Sequence, residues 1–503
     1  MKKFKFRAIM AGLLTSGMLA LGPAAQAGDV VVVQGTDVLT LDPTANSASV
    51  SINVYLNIFD QLTEITADGG LGPRLAKGWD VNSDATEWTF NLVENATFHN
   101  GDKVTSADVV GTFNYIMENP QSPVRSYLSL VDKIEAVDDL TVKISLKEPF
   151  ITFGRQVSLV SILPMAHFKA VGAEKFSVEP VGSGPFKVTE WLKDSHVKMV
   201  ANPDYWNGKP EIETLTFRAM PNEASRVAGL IAGEIDVVPL LTPPMVPTLE
   251  GEAGIKVETT VSNRTIYMGF NGQRETPLKD VRIRKAIDHA IDRESITKIL
   301  LRGLGVPASQ IPAPITFGFD ETLGITPYDP ELSKKLLAEA GYDGTPIPFE
   351  FPTNRFSNAQ QVAQAIDGFL SEVGIKVELR PMEFAAFWPL WLNNKLENMY
   401  MFSLGISILD ADMILTHEYE TATSHGYWRN AEVDELSRQQ RASTNPEERK
   451  AIMAKIWRMS QENAAFAPIY SDVQAYGIRE CLTWKPRADE RLNFHDAKST
   501  CTH

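Results

Sequence analysis

After Phe270 the chain alternates amphipathic helices with short apolar strands, which restricts that half to an α/β architecture with a parallel component in its sheet. Asp280 is placed to cap a helix whose apolar face is Ile283, Ile287, Ala290 and Ile291. Asp292 can cap the next, with Ile296, Ile299 and Leu300 inward and Gly303 at its end. Asp329-Pro330 offers a cap followed by proline at the first helical position, Leu332, Leu336 and Leu337 form a stripe, and Gly341 stops the helix. Val362, Ile366, Phe369, Leu370 and Val373 recur at helical spacing up to Gly374. The strand Ile375-Lys376-Val377-Glu378-Leu379 follows at once.

Between Val30 and about Thr260 the pattern is instead strand-rich. Trp88-Thr89-Phe90-Asn91-Leu92 and Val142-Lys143-Ile144-Ser145-Leu146 alternate apolar and polar residues, as half-buried strands do. Gly182-Ser183-Gly184-Pro185-Phe186 reads as a turn leading into a strand through Trp191, and 202–206 reads as a surface turn. No internal repeat, low-complexity segment or long polar linker interrupts the chain.

The N-terminus has the pattern of a removable export tag. Lys2, Lys3, Lys5 and Arg7 precede a weakly apolar run over 8–21, and Ala25-Gln26-Ala27 gives the small-x-small cleavage pattern. Cleavage is expected after Ala27. Gly28 and Asp29 then stand where a lipid anchor would need cysteine, so the mature chain is expected free in a periplasm. Removing the four basic residues of the tag takes the net charge from −15 to −19. Such a surface argues against nucleic acid and anionic lipid as partners. Cys481 and Cys501, the only two cysteines, are expected to form a disulfide that staples the C-terminal tail.

Catalytic patterns are missing. His417-Glu418 lacks the second histidine of a zinc helix, since Thr421 stands in its place. Gly182-Ser183-Gly184 lacks the spacing of a nucleophile elbow, and no phosphate-cradling glycine loop with lysine occurs. The chain is expected to be no enzyme and to hold no cofactor or metal.

Several phrases, in order, carry a resemblance. They begin with Leu41-Asp42-Pro43 and Asn57-Ile58-Phe59-Asp60-Gln61-Leu62. Next come Ala76-Lys77-Gly78-Trp79, Trp88-Thr89-Phe90, Phe98-His99-Asn100-Gly101 and Ser106-Ala107-Asp108-Val109. Val181 to Phe186, Asn202-Pro203-Asp204-Tyr205-Trp206 and Ala232-Gly233-Glu234-Ile235-Asp236 follow, then Phe270-Asn271 with Asp280-Val281-Arg282-Ile283-Arg284-Lys285-Ala286. Tyr328-Asp329-Pro330 and Leu336-Leu337-Ala338-Glu339-Ala340-Gly341-Tyr342 close the series. Their joint order resembles the dipeptide/oligopeptide-type extracellular solute-binding proteins of ABC importers, family 5. Val93 departs from that pattern, where a basic residue is usual.

The resemblance implies a two-lobed α/β periplasmic-binding-protein fold with an additional domain inserted in the first lobe. Lobe I is expected at 28–70, 181–271 and 473–503, the inserted domain at 71–180 and lobe II at 272–472. It implies capture of a small solute by hinge closure and delivery to an inner-membrane permease, by a monomer. In its peptide binders an arginine before the helix matching 360–373 holds a carboxylate; Arg355 occupies that loop, with Asn354 beside it. An aspartate holds the peptide ammonium where Ser407 stands here, with Asp410 and Asp412 nearby as substitutes or structural residues. A serine cannot neutralise a buried ammonium. Trp388 and Trp391 (with Phe387), and His425 and Trp428 (with Tyr427), are candidate cleft aromatics or core. Asn46 and Ser47 are candidate contacts from lobe I. The expected solute is peptide-like or amino-acid-derived and anionic, such as an opine or modified peptide. A glycoside or oligosaccharide, a metal chelate or haem, and a chaperone-like or signalling receptor role are the alternatives.

Overall fold

Two long strands, Ile255–Phe270 and Phe466–Arg479, pair antiparallel and organise the molecule. The computed structural model describes residues 28–353, 355–356, 358–422 and 427–501. The expected tag, Asn354 and His425 therefore lie outside the described residues. The two strands sit at the middle of one sheet. On one side follow Met399–Phe402, Ile347–Pro352 and Val377–Met382; on the other, Val237–Leu241, Asp29–Gln34, Thr214–Ala219, His196–Ala201 and Phe186–Leu192. Ile347–Pro352 is parallel to both its neighbours, as the helix–strand alternation requires, and Asp29–Gln34 is parallel to both of its own.

Each long strand is shared between two cores. Ile266, Met268, Phe270, Ala467 and Ile469 pack under the helices Val281–Ala290 and Ala359–Glu372, whereas Tyr476 and Ile478 pack into lobe I. The ladder breaks between Val261–Val473 and Thr265–Ser471, so Ser262, Asn263 and Arg264 face Asp472 alone. This bulge is the joint between the lobes. The boundary expected near Asn271 therefore lies inside the strand, because residues after the bulge bury their side chains in lobe II.

The capped helices form as the sequence dictates. Asp280 accepts from Arg282 N, Asp292 from Ser295 N and Asp329 from Leu332 N; Gly341 ends its helix at φ 68°. The helix expected after Asp292 begins as one turn, Arg293–Ser295, and continues with wider π spacing over Ile296–Leu300. Ile299, expected inward, is exposed.

The inserted domain is a four-stranded antiparallel sheet in the order Ala76–Val81, Glu87–Leu92, Thr141–Leu146, Val131–Asp138, packed on the helix Ser106–Glu118. Its core reaches back to Leu62 and ends at Ile162. Met165, Phe168 and Phe176 bury against lobe I instead, so the domain is shorter at its C-terminal end than the expected 71–180.

Three phrases of the resemblance converge on Asp60, which is fully buried. Its carboxylate accepts from Arg74 Nε at 2.7 Å, Tyr205 OH at 2.9 Å, Trp206 Nε1 at 2.9 Å and Ser183 Oγ at 3.0 Å. The segment 202–206 is thus anchored inward through Tyr205 and Trp206 rather than lying as a free surface turn. Gly182 and Gly184 serve close approach: a Cβ on Gly182 would lie 1.9 Å from Ile58 O. Arg282 pairs with Asp280, and Arg284 donates to the carbonyls of Ala464, Asn463 and Leu278.

In lobe II the buried Glu418 accepts from the hydroxyls of Tyr267 and Tyr400. Burial pushes its pKa up to about 8, although both tyrosines oppose the shift. The folded protein thus holds this proton where the unfolded chain releases it. Stability from this group is full below about pH 4.5 and declines as pH rises towards 8. Glu418→Gln is expected to flatten that decline. Denaturant unfolding of both proteins from pH 5 to 8 checks it, and parallel curves would refute it.

Candidate solute-binding site

Arg355 stands in the loop joining the strand Ile347–Pro352 to the helix Ala359–Glu372. Its guanidinium lies 4.9 Å from the ring centroid of Phe384, and its buried Nε has no hydrogen-bond partner. It forms no ion pair among the described residues. Burial first, then the like charge of Arg264, lowers its pKa to about 10, with Glu490 opposing. A guanidinium with an unpartnered Nε beside an aromatic ring has the chemistry to receive an anion.

The joint supplies the rest of the local charge. Arg264, within the bulge, donates to Glu490 through Nε at 2.7 Å and Nη2 at 3.1 Å, while its Nη1 is buried without a partner. Gly405 lies close beside it: an added Cβ would meet the Arg264 guanidinium at 2.8 Å and displace it. Asp472, opposite the bulge, has its pKa raised to about 7 by burial and by Glu490, against Arg264 and Gln474. Glu490 itself sits at φ 63°, a conformation sparsely used by residues with a side chain.

From lobe I, Arg491 lines two adjoining small recesses that also share Leu56, Gln61 and Ser158. Asn46 and Ser47 line the smaller one, as does Tyr127. Asn46 is occupied in part by the Ala48 N–H. Leu159 runs from that wall to the aromatic cluster of lobe II, where Phe384 and Trp388 also pack. Arg491, like Arg355, makes no side-chain hydrogen bond or ion pair among the described residues. Burial lowers its pKa, with Asp489, Tyr127 and Glu490 opposing and Arg487 adding to the fall.

The other expected residues divide. Ser407 is half-buried, its Oγ 3.8 Å from Met413 Sδ. Asp410 and Asp412 do not offer charge to a ligand. Arg449 donates to Asp410 at 2.8 and 3.0 Å, and Arg441 and Gln440 donate to Asp412. Of the two roles expected for them, substitute anchor or structural residue, the bonds fit the structural one, since both carboxylates are committed to buried partners. They also receive the inserted domain, through Thr152 Oγ1 to Asp412 at 3.0 Å and Arg155 to Ile408 O at 3.0 Å. Trp391 is fully buried and stacks on the half-buried Trp388 at 5.0 Å; Trp428 lies edge-on to Tyr419. Trp391 is a core residue.

Arg264, Glu490 and Arg491 were not foreseen. The run Arg487-Ala488-Asp489-Glu490-Arg491 reads as an ordinary solvated tail, and only folding carries it back into the joint.

Two lobes joined by a pair of strands, with cationic groups gathered between them, define a solute-binding protein. The family model described as bacterial extracellular solute-binding proteins, family 5 Middle, matches residues 70–425, and the chain belongs to that family. The glutathione-binding protein GsiB of Pectobacterium atrosepticum is 30% identical over 383 residues, 75% of this chain and 73% of that protein. The ABC transporter substrate binding protein CtaP of Listeria monocytogenes superposes with a TM-score of 0.85 at 25% identity, covering 94% of this chain and all of that one (100%). AgaA from A. tumefaciens R10, solved with agropinic acid, gives 0.79 at 25% identity, covering 95% and 99%. The chain is the substrate-binding component of an ABC importer. Among the described residues, no helix is long and apolar enough to cross a membrane.

Proposed function

We propose that this protein is a monomeric periplasmic receptor for a peptide-like or amino-acid-derived anionic solute, which it captures by lobe closure and hands unchanged to its permease. The carrying observation is Arg355, a half-buried arginine with a buried, unpartnered Nε and no ion pair among the described residues. Binding between the lobes favours the state in which both touch the solute. The glutathione-binding relative and the agropinic acid complex support this solute class.

Arg355→Ala is expected to weaken binding about 30- to 100-fold, the equivalent of roughly 2–3 kcal/mol for a charge-assisted contact. The ligand-free melting temperature should hold or rise, because the side chain removed is an uncompensated buried charge. Calorimetric titration with glutathione, dipeptides and opines, beside a melting curve, provides the check. Equal affinity in both proteins for every solute bound would sink the anchor.

A further inference from the structure

We infer that the solute carries two anionic groups, one held by Arg355 from lobe II and the other by Arg491 from lobe I. This rests on the reading of Arg355 as an anion anchor and adds the second charge. The argument is an inventory of the charges around the joint. Glu490 influences both arginines, but its two oxygens already accept the two bonds from Arg264. Asp489, the acid felt most by Arg491, is bound by Arg487 at 2.9 Å. Asp60 and Glu64 are taken by Arg74. Neither Arg355 nor Arg491, on opposite lobes, has an acid bonded to its guanidinium among the described residues.

The complementary observation is what the cleft lacks for a cation. Ser407 is uncharged, Asp410 and Asp412 are neutralised, and Asp472 is held towards its protonated form by its surroundings. A second carboxylate would meet Arg491, whose guanidinium no acid among the described residues binds. Arg491 lines the recess that Asn46, Ser47 and Tyr127 also line, so its charge faces polar groups of lobe I.

The test uses matched triplets of amino-acid derivatives that share a free carboxylate and differ at nitrogen: N-succinyl, N-acetyl or free amine. Thermal shift and titration are run on the wild type, Arg491→Gln and Arg355→Gln. Arg491→Lys and circular dichroism serve as controls for folding. The succinyl member of at least one triplet should bind at least tenfold tighter than its acetyl partner. Arg491→Gln should erase that difference by lowering succinyl binding to the acetyl level; Arg355→Gln should weaken both. The inference is overturned if free amines bind best, if no triplet prefers the diacid, or if Arg491→Gln weakens succinyl and acetyl members alike. Free amines binding best through Arg355 would leave the anion receptor standing without its second anchor. Binding indifferent to Arg355 would remove the anion reading itself.

Discussion

Arg449→Met is expected to destabilise lobe II by about 3–5 kcal/mol, the usual loss when one partner of a buried ion pair is removed. Asp410 has no solvent exposure and receives two bonds from Arg449, which also donates to the Gln440 side chain at 2.9 Å and stacks 4.7 Å from the Phe317 ring. Without Arg449, the remaining cation near Asp410 is Arg155, at 3.8 Å. The melting temperature should fall by roughly 10 °C. Adding Asp410→Asn should recover much of the loss, because a neutral amide no longer needs the charge. Urea unfolding of the two single variants and the double variant measures this. Additive losses would show that the pair is not coupled as the geometry requires.

Breaking the Cys481–Cys501 bridge is the second large effect. The two cysteines lie 20 residues apart with Cα atoms at 5.1 Å. Loop-closure entropy for that separation gives about 3 kcal/mol of stabilisation. The bridged segment holds Trp484 stacked on Phe494 at 5.1 Å, and also Glu490 and Arg491. Cys481→Ser with Cys501→Ser should therefore lower both the melting temperature and the solute affinity, and reduction of the wild type should reproduce both. Unchanged affinity after complete reduction would separate the staple from the binding site.

Local structure was legible wherever the signal is local. The caps at Asp280 and Asp329, the Gly341 stop and the alternating strand through Phe90 depend on neighbours a few residues away, and the structure has them as read. The cysteine pairing was legible by elimination of any other partner. Arg355 could be singled out only through the resemblance, whose peptide binders carry an arginine in the loop before that helix. What could not be read depends on residues far apart in sequence. Asp410 and Asp412 look like any acids until Arg449 and Arg441 are folded against them. Arg491 looks like any tail residue until the tail crosses the joint. The boundary within Ile255–Phe270 was hidden because a strand that changes core midway keeps the same apolar alternation throughout.

That shared strand pair sets the thermodynamic character of closure. The lobes are linked by two strands hydrogen-bonded to each other on both sides of a three-residue bulge, not by flexible tethers. A tethered pair gains disorder when it opens and must surrender it on binding. Here opening frees few backbone torsions, so little conformational entropy opposes closing. The joint behaves as a bearing with one easy rotation. Solute affinity is then governed by the contacts made inside the cleft rather than by the cost of bringing its walls together.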